Sequence, residues 1–347
     1  MQAELAPSIP RYRQELKKTL PAHYLKADNR HLLWLIPHVG IIAGSLWLMS
    51  TWFSWWLAPF LGILIGHSLG CLGFIAHETC HGGAIKNKTL RHLLTGIAFS
   101  PFGIGPYLWS RWHNAEHHGH TQDSGLDPDR LFQINEYREN AILKWLYRMS
   151  PLARNVVIFG FFSLMMSQHN VSMAIAYLRD PKTTWRERII ILYQFLLPKA
   201  FWVVLTVMLG WQILLMGYVL PLLVANALVI SYIATNHFLN PLADEDDVLA
   251  SSLSVTMPRG FRWLDAMHLH FGAHVAHHLF PQSPSRHARK IERELKRLWP
   301  DRYHEMPITK ALALLWKTPW VYDEDGKALI DPEQNTTSPT LGHGLKG

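Results

Sequence analysis

Residues 31–76 contain no Asp, Glu, Lys or Arg, and this stretch limits the possible folds more than any other feature. Because about 20 apolar residues cross a bilayer as a helix, it predicts two membrane-spanning helices joined by a short turn. The aromatic run TWFSWW at 51–56 marks the turn, since tryptophan prefers the membrane–water interface. A second apolar stretch, roughly 189–236, predicts two more spans with a turn near Gly210–Gln212.

The predicted fold is an all-α membrane protein with four transmembrane helices in two hairpins, at about 31–53, 56–76, 189–209 and 212–235. Lys199 interrupts the third span, so either its ammonium group snorkels to the interface or the span begins near Phe201. Two further apolar patches, about 92–108 and 155–178, are interrupted by helix-breaking or polar residues. They predict interfacial helices lying along the membrane surface.

We expect three units along the chain: an N-terminal segment (1–30), a membrane domain (31–322) and a polar, loosely ordered tail (323–347). Two hairpins return the chain to its starting side, where lysine and arginine are abundant, and both predicted turns lack them. The positive-inside rule makes this side cytoplasmic. Charged residues form 17% of the chain, whereas soluble domains carry nearer a quarter, which argues against an ordinary soluble protein.

Three histidine clusters lie on the predicted cytoplasmic side: HETCH (77–81), HNAEHH (113–118) and HVAHH (274–278). Eight clustered imidazoles exceed the three or four protein ligands that one zinc ion takes, so they suit two neighbouring metal ions. A four-residue step places two imidazoles on one helix face, and adjacent histidines diverge by about 100°. The clusters therefore predict a dinuclear site in a cytoplasmic helical cap, with the metal left open among zinc, copper, iron and nickel.

The order and spacing of HETCH, HNAEHH and HVAHHLFP closely resemble the three histidine boxes of membrane fatty acid desaturases, over roughly residues 60–290. This resemblance implies two iron ions, O2 as co-substrate and removal of hydrogens from an unactivated acyl chain. His237, in TNHFLNP, resembles a further family histidine. By resemblance the metal ligands are His77, His81, His113, His117, His118, His237, His274, His277 and His278.

Other polar residues are expected to support these ligands. Asn236 is expected to act through water, and Asp265 or His268 to orient ligand imidazoles through the other ring nitrogen. Further candidates for that orienting role are Glu78, Glu116, Asp127 and Asp129. For Asp127 and Asp129 we expect surface positions instead. We expect no ligand role for His67 and free thiols at the two cysteines, Cys71 and Cys80.

The predicted reaction needs partners outside the chain. An aliphatic C–H bond is neither acidic nor polar, so acid–base chemistry cannot break it, and a metal cofactor must carry the oxidation. We find no dinucleotide-binding loop, iron–sulfur cysteine set or fused haem motif, which predicts an external electron donor such as a ferredoxin or small cytochrome. Expected partners are this donor, membrane lipid and a fatty acyl lipid or acyl thioester substrate, with no nucleic acid.

Three alternatives remain at the sequence level. A lipid or hydrocarbon hydroxylase or ketolase of the same superfamily shares the histidine boxes. A membrane zinc metalloprotease would use HETCH as an H-E-x-x-H motif, which leaves six clustered histidines unexplained. A metal transporter is disfavoured, because its ligands should lie within the spans rather than beyond one face.

Overall fold

A computed structural model describes residues 8–242 and 247–345 of the chain. Short 3₁₀ turns and two π-helical segments, Ser110–His117 and Leu215–Val219, connect or extend its α-helices. The α-helices are, in chain order, α1 (Ile9–Thr19), α2 (Leu35–Thr51), α3 (Ala58–Cys80), α4 (Lys88–Phe99), α5 (Pro106–Trp109), α6 (Ile134–Glu139), α7 (Ala141–Tyr147), α8 (Pro151–Arg179), α9 (Trp185–Leu209), α10 (Trp211–Leu214), α11 (Leu220–His237), α12 (Val248–Ser251), α13 (Arg262–Met267), α14 (His274–Leu279), α15 (Ala288–Leu298) and α16 (Ile308–Lys317).

Within the described residues, five helical segments are long and apolar enough to cross a membrane. Four of them overlap the predicted spans, and the fifth, α8, covers the patch for which we expected an interfacial helix. Length and composition do not distinguish these two positions for α8, so the four-span topology stays a prediction. The five segments are Arg30–Thr51, Ala58–Cys80, Pro151–Arg179, Trp185–Leu209 and Trp211–His237.

Helices α3 and α11 form the centre of the membrane bundle, and α2 and α8 pack against them. Their close approach depends on glycines along one face of α3. A Cβ atom at Gly66 would lie 2.6 Å from Cβ of Val224 and 2.7 Å from the carbonyl oxygen of Pro221. Small residues allow this backbone contact between apolar helices. Because α3 ends at Cys80, directly before His81, and α11 ends at His237, the pairing brings two histidine-bearing helix ends together.

The two predicted turns lie where expected. The chain turns between α2 and α3, and Gly210 separates α9 from α10 with a φ of 124°, a conformation that favours glycine. The rings of Trp55 and Trp211 lie 5.7 Å apart, so both hairpin tips are at the same end of the bundle. Helix α9 begins at Trp185 and continues through Pro198 and Lys199, so the point at which the third span enters the membrane stays a prediction.

The cap contains strands as well as helices, so the all-α prediction holds only in part. One sheet has the order β1-β4-β5-β6, with β1 and β4 parallel and the remaining neighbours antiparallel, and β2 pairs with β3 in parallel. The pairing of β1 with β4 joins segments nearly 190 residues apart, which local periodicity does not reveal. The strands are β1 (Phe132–Gln133), β2 (Ser254–Thr256), β3 (Glu305–Pro307), β4 (Val321–Tyr322), β5 (Ala328–Asp331) and β6 (Thr336–Pro339).

The C-terminal tail is ordered, which corrects our expectation of a loose segment. Strands β5 and β6 both lie within it, and Leu329, Asp331 and Leu341 are buried. Although the tail is polar in composition, one side of this sheet is apolar and is buried in the protein. The outer ends of the two predicted terminal units, residues 1–7 and 346–347, lie outside the described residues.

Helix α15, which is rich in arginine and lysine, packs with α1 and α14. Ile291 and Leu295 of α15 are buried in one apolar cluster with Val275 and Leu279 of α14. The helix that carries the third histidine cluster is therefore held between the membrane bundle and a basic outer layer.

Candidate metal centre

Nine histidine side chains converge at the cap end of the bundle in two groups. Within each group, the candidate ligand nitrogens lie within 4.8 Å of one another. One, called here the five-histidine group, comprises His77, His81, His113, His118 and His277. The other, called here the four-histidine group, comprises His117, His237, His274 and His278. These are the nine positions proposed from the sequence as ligands.

The first and third clusters distribute their histidines as α-helical geometry dictates. His77 and His81, four residues apart on α3, share the five-histidine group. His274 and His278, also four apart on α14, share the four-histidine group, while His277 points to the other group. Adjacent residues diverge by about 100° on a helix, which allows α14 to contribute to both groups.

The second cluster uses a different helix geometry. Ser110–His117 is π-helical, and the backbone N–H of His118 donates to the carbonyl oxygen of His113, five residues earlier, at 3.0 Å. On an α-helix, two residues five positions apart in sequence lie about 140° apart around the helix axis. The wider π turn brings His118 back towards His113, so that both join one group while His117 joins the other.

Three protein groups hydrogen-bond the outer ring nitrogens of the four-histidine group. Nδ1 of His117 lies 3.0 Å from Oδ1 of Asp127, and Nδ1 of His278 lies 3.1 Å from the Thr121 hydroxyl. Nδ1 of His237 lies 3.3 Å from the carbonyl oxygen of Ser251. Such contacts fix the tautomer and orientation of a ligating imidazole, which leaves Nε2 available for a metal.

Asp127 and Asp129 are not at the surface, which corrects our expectation. Asp127 is 5% exposed, and its second carboxylate oxygen accepts from the backbone N–H of Gln122. Asp129 lies 3.5 Å from Nδ1 of His117 and 2.9 Å from Nε2 of His169, a residue that the sequence analysis left without a role. No local pattern distinguishes these two aspartates from other loop carboxylates.

His117 differs in proton affinity from the other eight histidines, whose pKa values are all lowered. Burial alone would lower the pKa of His117, but the carboxylates of Asp127 and Asp129 outweigh it and raise that pKa to about 9. Burial and neighbouring imidazoles hold the pKa values of His118 and His277 well below their usual range. The five-histidine group therefore offers neutral nitrogens, while His117 must lose a proton before it ligates.

The five-histidine group is held chiefly by aromatic packing. The ring of Trp109 lies 4.3 Å from that of His113 and 5.2 Å from that of His77, and Phe271 lies 5.0 Å from His77. Asp129 lies 3.9 Å from Nδ1 of His113, whereas Nδ1 of His118 is buried with no hydrogen-bond partner among the described residues.

The arrangement fits a pair of metal ions. Nε2 atoms face each other at 3.0 Å between His77 and His113 and at 2.7 Å between His237 and His274. Lone pairs of neutral imidazoles that point into one shared space are stabilised by a cation placed between them. Five and four nitrogens around two adjacent centres match the ligand needs of two transition-metal ions.

The three supporting candidates lie in different surroundings. Asn236 is fully buried, and no described residue hydrogen-bonds either of its amide atoms, as a bound water would require. Asp265 does not contact the nine histidines; it binds His270 and Arg289. His268 lies outside both groups, with its Nε2 3.0 Å from that of His67.

The glutamates of the first two clusters also face other partners. Glu78 accepts from the backbone N–H of Ser285 at 3.0 Å and lies 3.3 Å from Nδ1 of His31. Glu116 accepts a short hydrogen bond from the hydroxyl of Tyr177 on α8. Both carboxylates tie separate parts of the chain to the cap, and neither orients a ligand imidazole as we had considered.

A cavity of about 880 Å³ adjoins both groups and lies within the usual range for small-ligand sites. His113 and His274 border its inner part, and its walls are mainly aromatic and aliphatic. At the other side it reaches Ile142 and Trp145 of α7 and Leu164 of α8, which are 69%, 56% and 49% exposed. The space therefore connects the histidines with an exposed apolar rim.

Comparisons with known proteins agree with this geometry. A family model described as fatty acid desaturase matches residues 50–310. An sn-1 acyl-lipid omega-3 desaturase (ferredoxin) of Synechocystis sp. is 25% identical over 319 residues, covering 87% of this chain and 86% of that protein. An endoplasmic reticulum omega-6 fatty acid desaturase of Brassica juncea is 26% identical, with 87% and 84% covered. Fatty acid conjugase FAC2 B of Calendula officinalis is 23% identical, with 87% of each chain covered.

The family match covers well over half of the chain and includes all three histidine clusters. Each of the three named relatives matches 87% of the chain. The apolar helices and the cavity beside the histidines suit an enzyme that acts on lipid. The chain therefore belongs to the fatty acid desaturase family and is an oxidoreductase of lipid metabolism.

Proposed function

We propose that this protein is an O2-dependent di-iron desaturase that introduces a double bond into the acyl chain of a membrane lipid. One observation carries the proposal: nine buried or half-buried histidines converge beside an apolar cavity whose rim consists of exposed apolar side chains. A metal-dependent oxidation of a long apolar substrate needs both parts of this arrangement.

The five-histidine group and the four-histidine group would each hold one iron. Iron bound there would activate O2, the oxidant that removes hydrogens from an unactivated carbon chain, which side chains alone cannot do. The protein supports that chemistry by orienting the ligands through Asp127, Thr121 and the Ser251 carbonyl. The aromatic walls of the cavity exclude water and position the acyl chain near both groups.

The rim of the cavity favours a lipid-linked substrate over a soluble acyl thioester. Ile142, Trp145 and Leu164 are large apolar residues that line the cavity while remaining exposed. A rim of this kind is unfavourable in water and suits contact with lipid tails. An acyl chain already in the bilayer therefore reaches the histidines by lateral movement. The Synechocystis relative is named for an acyl-lipid substrate, in line with this route.

We propose four transmembrane spans, with α8 lying along the interface of the membrane domain. Both ends of α8 contact groups on the histidine side: Arg154 pairs with Asp331 of the cap, and Tyr177 donates to Glu116 of the second cluster. A helix that crossed the bilayer would place one end on the opposite face. With α8 interfacial, both hairpins open towards the histidines, and the lysine and arginine distribution makes that side cytoplasmic.

An external electron donor completes the proposed reaction. The exposed face of α15 carries Arg293 and Lys296, directly outside the layer that packs against α14. The chain as a whole has a formal net charge of +7. A basic surface close to the third histidine cluster suits an acidic electron-transfer protein, such as a ferredoxin or small cytochrome.

The zinc protease alternative conflicts with the position of Glu78. In an H-E-x-x-H protease this glutamate is the general base beside the metal. Here its carboxylate is used by the backbone of Ser285 and lies beside His31. The motif therefore serves as a source of two imidazoles, and its glutamate ties the first cluster to the segment after the third.

Lipid analysis of a host that expresses the protein tests the proposed function. We expect acyl chains two mass units lighter than their precursors, with the new product appearing first in intact membrane lipids. A matched host expressing His274→Ala at the same level should lack that product. Products sixteen mass units heavier would contradict desaturation, and products confined to free acyl thioesters would contradict the lipid-linked substrate.

A further inference from the structure

A further set of potential metal-binding side chains lies outside both histidine groups. His67, Cys71 and His268 place one ligand atom each within 4.8 Å of one another. His67 and Cys71 lie one turn apart on α3, and His268 comes from the loop that precedes α14. We propose that these three residues form a separate site for one thiophilic d¹⁰ metal ion, Zn²⁺ or Cu⁺.

The spacing of the three ligand atoms fits direct coordination. Nε2 of His67 and Nε2 of His268 are 3.0 Å apart, as are the Nε2 atoms of His77 and His113 in the five-histidine group. Sγ of Cys71 is 3.9 Å from Nε2 of His67. Metal–nitrogen bonds of about 2.0 Å and metal–sulfur bonds of about 2.3 Å place ligand atoms at such separations around one ion.

Tyr232 supports His268 as a ligand. Its hydroxyl lies 2.9 Å from Nδ1 of His268, the nitrogen that faces away from His67. A ligating imidazole usually places its other ring N–H on an oxygen partner, which fixes the ring.

The loop that carries His268 is held in an unusual conformation. The next two residues, Leu269 and His270, have φ angles of 52° and 51°, in the left-handed region that side chains other than glycine rarely adopt. His270 and Arg289 both bind Asp265, which anchors the same loop to α15. Bonds from His268 to a metal on α3 would anchor it from the opposite side.

The donor set selects the class of metal. A thiolate with two imidazoles is a soft set that favours Zn²⁺ or Cu⁺ over the hard cations Mg²⁺ and Ca²⁺. The thiol of Cys71 is deprotonated by the metal that it binds, and Cu⁺ with one thiolate is electrically neutral in this apolar setting.

The metal site would hold in place the segment that leads to the third histidine cluster. The His268 ring contacts Phe74, Phe74 packs on Phe271 at 4.6 Å, and Phe271 contacts both His77 and His274. An ion bound by His268 therefore holds the residues that pack against both proposed iron groups. The inference does not depend on desaturase activity, since it concerns ligands that neither group contains.

Elemental analysis of the purified protein tests the proposal. The protein is prepared with an affinity tag free of histidine, and iron, zinc and copper are measured per chain. We expect about one equivalent of zinc or copper in the wild type, and its identity decides between the two ions. Cys71→Ala and His268→Gln should each lose most of this metal and keep their iron, whereas Cys80→Ser, a matched change at the other buried thiol, should keep it.

If the variants fail to fold, measurements on the wild type alone still test the proposal. X-ray absorption at the zinc or copper edge should then show one sulfur and two imidazole nitrogens around the ion. Two outcomes would overturn the proposal: a wild type that binds neither metal stoichiometrically after exposure to each, or full retention of the metal in both variants. Failure of the proposed desaturase function would appear separately, as absence of iron.

Discussion

The five-histidine group and the four-histidine group are built from the same side chain but held in different ways. In the four-histidine group Asp127, Thr121 and the Ser251 carbonyl hydrogen-bond outer ring nitrogens. The five-histidine group has an additional imidazole and relies on aromatic neighbours such as Trp109. The four-histidine group is thus stabilised by hydrogen bonds that orient its ligands, and the five-histidine group by its larger number of ligands. The two groups should therefore respond differently to mutation and pH.

The largest effect is expected from loss of a ligand. His274→Ala leaves three imidazoles in the four-histidine group, and we expect product formation to fall by about 100-fold or more, since even outer partners of ligands contribute about 10–100-fold. Iron content should fall towards one per chain. His92→Ala removes an exposed histidine and should retain activity and iron. Wild-type activity in His274→Ala would contradict the ligand assignment.

Removal of the carboxylate at Asp127 should weaken only the four-histidine group. We expect Asp127→Asn to lower iron affinity at one site by about 10–100-fold at pH 9, because a neutral amide replaces the charged carboxylate acceptor that orients His117. Iron titration of the metal-free protein measures both sites at once, so the five-histidine group is an internal control. Equal weakening of iron binding at both sites would contradict the proposal that Asp127 supports only the four-histidine group.

The pH dependence of iron loading should also separate the groups. His117, with its pKa raised to about 9, is protonated at neutral pH in the metal-free protein and must release that proton on binding. Affinity of the four-histidine group should therefore fall about tenfold for each pH unit below 9. The five-histidine group should change little between pH 7 and 9, since the pKa values of His118 and His277 are depressed. Parallel pH curves would contradict this.

The smallest effect is expected at Thr121. Thr121→Val removes the hydroxyl beside Nδ1 of His278 while keeping the side-chain shape. Loss of one hydrogen bond of about 0.5–1.5 kcal/mol predicts a two- to tenfold loss of iron affinity at the four-histidine group. The same titration measures it, and an effect larger than that of Asp127→Asn would reverse the proposed order of contributions.

The sequence pointed to all nine histidines because their spacing is local and their family resemblance is specific. It did not reveal how they divide, since the π-helical turn that pairs His118 with His113 depends on packing around the second cluster. Asp127 is likewise indistinguishable from a loop carboxylate until the fold places it against His117. The strands of the C-terminal tail and the contact of His67 with His268 join distant segments, which periodicity within a window does not report.

The position of α8 shows the same limit. Its composition fits a membrane span and an interfacial helix equally, and only its contacts with Asp331 and Glu116 favour the interfacial position. A cysteine introduced at each end of α8 should react with the same membrane-impermeant reagent from the same side. Labelling from opposite sides would show that α8 crosses the membrane and would refute the four-span topology.

The most direct test is the metal content of the purified wild-type protein, combined with Mössbauer spectroscopy of ⁵⁷Fe-enriched samples. The proposed centre predicts two irons per chain in two unequal nitrogen-rich environments, one for each histidine group. A protein that contains about one zinc and no iron would contradict it.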